Sequence, residues 1–96
     1  MNRILEKGLD ALKNNFSHGD MIRHTYKNST AIGIIQPNGW IVSNGEAFSS
    51  ISTFAKNHKM YIVGRPIQTD GWTECYWKKA DESDTEWKTT YTKRLS

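Results

Sequence analysis

The run QPNGWIVSNGEAF, residues 36 to 48, holds two Asn-Gly pairs, Asn38-Gly39 and Asn44-Gly45, with five residues between the two glycines. Asn and Gly tolerate the positive φ that tight reversals demand, so the chain is expected to turn back twice within a dozen residues. Pro37 presets φ for the first corner, Asn38 suits the second and Gly39 the left-handed third, which predicts a three-residue hairpin loop with a bulge. Asn44-Gly45 suits a two-residue type I′ hairpin. The intervening WIVS is then a strand of about four or five residues and EAFS its return partner.

The flanking segments fit a sheet. MIRHTY, residues 21 to 26, places Ile22, His24 and Tyr26 opposite Met21, Arg23 and Thr25. TAIGIIQ, residues 30 to 36, is β-branched and apolar, with Gly33 marking a bulge or a close backbone neighbour. KNS turns the chain between them. Strands are also expected in MYIV, residues 60 to 63, and WTECYW, residues 72 to 77. Two segments show helical spacing instead. Ile4, Leu5, Leu9, Leu12 and Phe16 form one stripe over residues 3 to 16, weakened by Gly8; Ile51, Phe54, Ala55 and His58 form another over 49 to 58, with Ser49 or Ser50 as cap. The expected fold is α+β: an N-terminal helix and a second short helix packed on a small, mostly antiparallel β-sheet with a central meander. Residues 1–80 make a single domain, and residues 81–96 a polar C-terminal tail whose Trp87 can dock on that domain.

A chain of 96 residues supports one domain. Its single cysteine, Cys75, cannot form an internal disulfide, which points to a reducing, cytoplasmic setting; no secretory segment and no apolar run of membrane-spanning length is present. Cys75 reads as a small strand residue, since a nucleophile would need a base from His18, His24 or His58. Residues 1 to 80 carry ten Lys or Arg against six Asp or Glu, a mildly basic body that favours an anionic partner.

Zinc spacing, a phosphate loop and a Gly-x-Ser-x-Gly elbow are all absent from the sequence. Asp70 with Glu86-Trp87-Lys88 is similar to the Asp and Glu-x-Lys of restriction-type nucleases, but a chain with ten acids and nine lysines produces such a triplet by chance. No catalytic residue, metal or cofactor is expected. For binding, Arg23, Lys56, Lys59, Arg65 and Lys78 are candidates for phosphate contact; Trp40, Trp72, Tyr76 and Trp77 are aromatics that can stack on bases, of which Trp40 and Trp72 read chiefly as core and Trp77, beside Lys78-Lys79, is the better candidate.

FSHGDMI at 16 to 22, AIGIIQPNGWIV at 31 to 42, GEAFSSISTFA at 45 to 55 and DGWTECYW at 70 to 77 occur in an order that resembles the RAMA domain, a module associated with restriction endonucleases and adenine methylases. The likeness spans residues 5 to 78. It lacks the family's Pro between two serines, reading Ser50-Ile51-Ser52, has Asp70 for the closing Asn, and sets Tyr76 or Trp77 late. The resemblance implies a stand-alone DNA-binding module, including recognition of modified DNA; the small size and the composition suggest a bacteriophage or mobile-element source. The alternative expectation is a protein-binding inhibitor or adaptor, acting on a host restriction, defence or other enzyme, with the sheet edge and the Trp-rich end as its contact patch.

Overall fold

A computed structural model describes residues 16 to 94. Six strands form one antiparallel sheet: β1 (Met21–Tyr26), β2 (Ser29–Ile35), β3 (Ile41–Ser43), β4 (Glu46–Phe48), β5 (Cys75–Lys78) and β6 (Lys88–Thr89), in spatial order β4-β3-β2-β1-β5-β6. Three helices accompany it among the described residues: α1 (Ile51–Val63), α2 (Gly71–Glu74) and α3 (Tyr91–Arg94). The expected α+β class is the one observed. The amphipathic stripe expected over 3 to 16 lies outside the described residues except for Phe16.

Both reversals form as the asparagines and glycines dictate. Gly39 takes φ +89°, its N–H donates to the Gln36 carbonyl at 2.9 Å, and the Gln36 N–H donates to the Trp40 carbonyl at 2.8 Å. Asn44 and Gly45 take φ +52° and +83°, and Ser43 pairs with Glu46 across them. A third tight turn is made by Lys27 and Asn28, both at positive φ, between the paired residues Tyr26 and Ser29. The meander is shorter than expected, with three residues in each of β3 and β4.

Pleating gives the sheet two unlike faces. Ile22, His24, Ile35, Ile41, Phe48, Cys75 and Trp77 turn to the inner face, where Ile51, Phe54 and Ala55 of α1 and Phe16 close the core. Gly33 lies on that face because a Cβ there would run into Cγ2 of Ile41, so the glycine marks the close neighbour expected of it.

Three expectations are corrected. MYIV is the last turn of α1 and not a strand: the helix runs from its cap at Ser50, whose hydroxyl accepts the Thr53 N–H, to Gly64 at φ +77°, whose N–H donates to the Met60 carbonyl. WTE, residues 72 to 74, is helical before β5 begins, because Asp70 accepts the Trp72 N–H and starts α2. Residues beyond 80 are not merely a polar tail. β6 pairs with β5, and the buried Thr90 hydroxyl donates to the carbonyls of Trp72 at 2.7 Å and Cys75 at 3.2 Å.

Candidate functional site

The outer face of the sheet carries Met21, Arg23, Ile32, Ile34, Val42 and Tyr76, the alternate residues of four neighbouring strands. Ile32, Ile34 and Tyr76 are 39%, 44% and 43% exposed. Arg23 stands beside them with its guanidinium 5.1 Å from the Tyr76 ring centre and 4.7 Å from that of Trp87. Its buried Nε has no hydrogen-bond partner among the described residues. Near the first reversal, Pro37, Trp40, Val42 and Ala47 border a shallow hollow of about 500 Å³.

The candidates for nucleic-acid contact do not share a surface. Arg23 is on the outer face, whereas Lys56 is exposed on α1, which covers the inner face, and Arg65 is exposed just past that helix. Lys59 is buried, with Nζ 2.7 Å from Glu74 Oε1. Lys78 is buried and donates to the Glu82 carbonyl at 2.8 Å. Trp77 is buried edge-on to Phe16, with Lys88 and Lys93 4.5 and 4.4 Å from its ring centre, and at 7% exposure it has no open surface for a base. Burial thus withdraws Lys59, Trp77 and Lys78 from the surface on which they were expected. The nuclease-like residues are equally dispersed: Asp70 caps α2, Glu86 is exposed in the loop before β6, and Lys88 pairs with Glu82 at 3.0 Å. Among the described residues no group of three or more His, Cys, Asp and Glu side chains is placed to hold a metal ion.

A different set converges under α1. His24, on the inward phase of β1, and His58, on the apolar stripe of α1, meet with their Nδ1 atoms 2.7 Å apart. His24 Nε2 is 3.1 Å from Glu74 Oε1, and His58 Nε2 is 3.0 Å from the Ser29 hydroxyl. Glu74 is fixed in turn by Lys59 and by the Asp70 N–H, 3.2 Å from Oε2. Burial pushes the Glu74 carboxyl up, but the hydrogen bonds from Lys59, His24 and Asp70 outweigh it and hold the group below its ordinary range. It is therefore a carboxylate that only accepts.

That one fact orders every proton in the chain. His24 donates Nε2–H to Glu74, which leaves its Nδ1 an acceptor. His58 must then donate Nδ1–H to His24, which leaves its Nε2 an acceptor for the Ser29 O–H. Both imidazoles are neutral: burial lowers the affinity of each for a second proton, opposed at His24 by Glu74 and reinforced at His58 by the neighbouring ring. Cys75 lies beside His24 in sequence register but takes no part. Burial, with Glu74 adding to it, pushes its thiol up to about 12, consistent with the inert strand residue expected.

The chain of protons ends at a groove. β3 pairs with β2 only at Ile34 and Ile35, so the stretch from Ser29 to Ile32 extends beyond its neighbour. The Ser43 hydroxyl donates to the Ile32 carbonyl at 2.7 Å, and beyond it a groove of about 410 Å³ opens between this overhang, the β3–β4 turn and α1. Ala31, Phe48 and Phe54 give it apolar walls, and Ser29, Asn57 and His58 a polar end. The sequence placed His24 in phase with Ile22 and His58 in phase with Phe54. Those phases were the only available sign that two histidines would be buried against each other.

No family model and no curated protein matches this chain.

Proposed function

We propose that the chain is a binding module, an adaptor or inhibitor, that docks another protein on the outer face of its sheet. The observation that carries this reading is the half-exposed row of Ile32, Ile34 and Tyr76 on the side away from the helices. A sheet face whose alternate residues are apolar loses free energy by meeting water, about 25 cal/mol per Å² of apolar surface, and a partner relieves that cost. Arg23 gives the face direction. A guanidinium held on two rings is already ordered for bidentate contact with a carboxylate, so the fitting partner presents an apolar patch beside an acidic side chain.

DNA recognition, the activity implied by the RAMA resemblance, is the second reading. Arg23 favours it too, since the same planar group accepts a phosphate. It has less support, because the exposed Lys56 and Arg65 lie on the helix side of the sheet and one duplex would have to reach around the molecule.

The two readings separate in one paired experiment. The tagged protein and its Ile34→Glu variant are passed over a nuclease-treated lysate, and both are titrated with labelled duplex at several salt concentrations. Protein docking predicts a partner retained by the parent and lost by the variant, with weak duplex binding. Capture that vanishes on nuclease treatment, together with duplex affinity falling steeply with salt, would overturn it in favour of DNA.

A further inference from the structure

We propose that Ser29 is a nucleophile, activated by the histidine pair, that takes acyl groups from small esters bound in the groove. This goes beyond partner docking and uses the opposite side of the sheet. It departs from the sequence-based expectation of no catalytic residue.

The argument is one of connectivity. A serine hydroxyl is a poor nucleophile unless a base in hydrogen-bond contact takes its proton as it attacks. Ser29 has such a base in His58 Nε2 at 3.0 Å. The base must present a lone pair and not a proton, and the tautomer that does so is the one imposed by Glu74 through His24. A base must also be held in place by a third group; here His24 fills that role, and Glu74 holds His24. His58 is nucleophile-adjacent, while His24 and Glu74 are positioning residues. The far end of the chain is closed by Lys59 and Tyr26, with the Lys59 Nζ 5.3 Å from the Tyr26 ring centre, and His24 itself is fully buried, so protons exchange with the groove through Ser29 and His58. Nothing about the core requires this order: an inward pair of apolar residues at 24 and 58 would pack without burying four polar groups.

The groove suits an uncharged ester. Its apolar walls, Ala31, Phe48 and Phe54, fit a short acyl chain, and the Asn57 amide beside Ser29 and His58 is the donor type a developing oxyanion needs. In the reaction Ser29 Oγ bonds to the carbonyl carbon as its proton passes to His58 Nε2. The ester C–O bond then breaks, and that proton leaves with the alcohol or phenol. Water next gives a proton to His58 and its oxygen to the acyl carbon; the carboxylic acid departs and Ser29 regains its proton.

The test uses p-nitrophenyl butyrate and a fluorophosphonate probe on the full chain. The expected results are release of p-nitrophenol above the buffer rate, and one fluorophosphonate adduct that peptide mapping assigns to Ser29. Ser29→Ala should lose both. His58→Gln should slow both by about 100-fold or more. Because the neutral imidazole is the active form, labelling should lose rate only as pH falls below the ordinary imidazole value of 6.5, and Glu74→Gln should change that profile as well as the rate. Ile34→Glu, on the other face, should label like the parent, so failure of partner docking and failure of this chemistry are read independently. Absence of an adduct on Ser29 in the parent, or ester turnover equal in the parent and in a folded Ser29→Ala, would overturn the proposal.

Discussion

His24 and His58 occupy positions where the sequence pattern calls for apolar side chains, and they pack there only as neutral rings sharing a single hydrogen between their Nδ1 atoms. The consequence is an acid-sensitive core. Unfolding releases two imidazoles that then take up protons at their ordinary value of 6.5, whereas the folded protein binds them only at lower pH. The unfolded state therefore binds more protons as pH drops, and stability that is fully present above 6.5 is lost as pH falls through the lowered folded values. Glu74 acts in the same sense further down, below 4.5. Each group can contribute up to about 1.4 kcal/mol per pH unit in its window. Urea midpoints should be flat from pH 8 to 7 and decline below 6.5, and a folded His58→Gln variant should decline less; a flat profile to pH 5 would contradict the neutral pair. Cys75 supplies a second test at this scale. With its thiol fully buried and pushed up to about 12, iodoacetamide at pH 8 should modify it only at the rate of unfolding, and mass spectrometry should show rapid alkylation in denaturant.

Among the elements, α1 carries the most. It supplies Ile51, Phe54 and Ala55 to the core and His58 to the proton chain, and its start rests on one hydroxyl. Replacing Ser50 by Ala removes the acceptor for the Thr53 N–H, at 3.0 Å, and should cost about 1 kcal/mol in a denaturant melt. Phe54→Ala should cost about 3–5 kcal/mol in the same assay, enough to leave a small domain largely unfolded. The reversals at Gly39 and Gly45 were legible because turn chemistry is local: two or three residues decide the outcome wherever the segment lies. The end of α1 was not. Met60, Tyr61, Ile62 and Val63 have strand-like composition, and only the continuity of a helix already capped at Ser50 and stopped by Gly64 makes them helical. β6 was illegible for a different reason. Two residues carry no periodic signal, and Lys88 and Thr89 become a strand only because β5 offers an edge beside them.

Across the whole molecule the sheet divides two kinds of chemistry. The helices and the buried histidines lie on one side; Arg23, Tyr76, Trp87, Ile32 and Ile34 lie on the other. This division explains why the basic and aromatic candidates chosen from the sequence scatter. Charge and residue type were visible there, but whether a lysine lies over a core ring or over water depends on which strand pairs with which. The phase of β1 gave its faces correctly, whereas β2, β-branched and apolar throughout, read as a buried strand and instead leaves Ile32 and Ile34 half-exposed; the groove arises from a feature no phase reveals, the shortness of β3 and β4 beside a longer β2. No described helix is long and apolar enough to cross a membrane.

The outer face is the point on which the docking account depends, and the thermal stability of Ile34→Glu probes it most directly. Ile34 is 44% exposed, so a carboxylate there should stay hydrated and shift stability by no more than about 1 kcal/mol, with unchanged circular dichroism. A loss of about 3 kcal/mol or more, comparable to a charge placed in the core, would mean that this chain already covers its own sheet and has no open face to offer a partner.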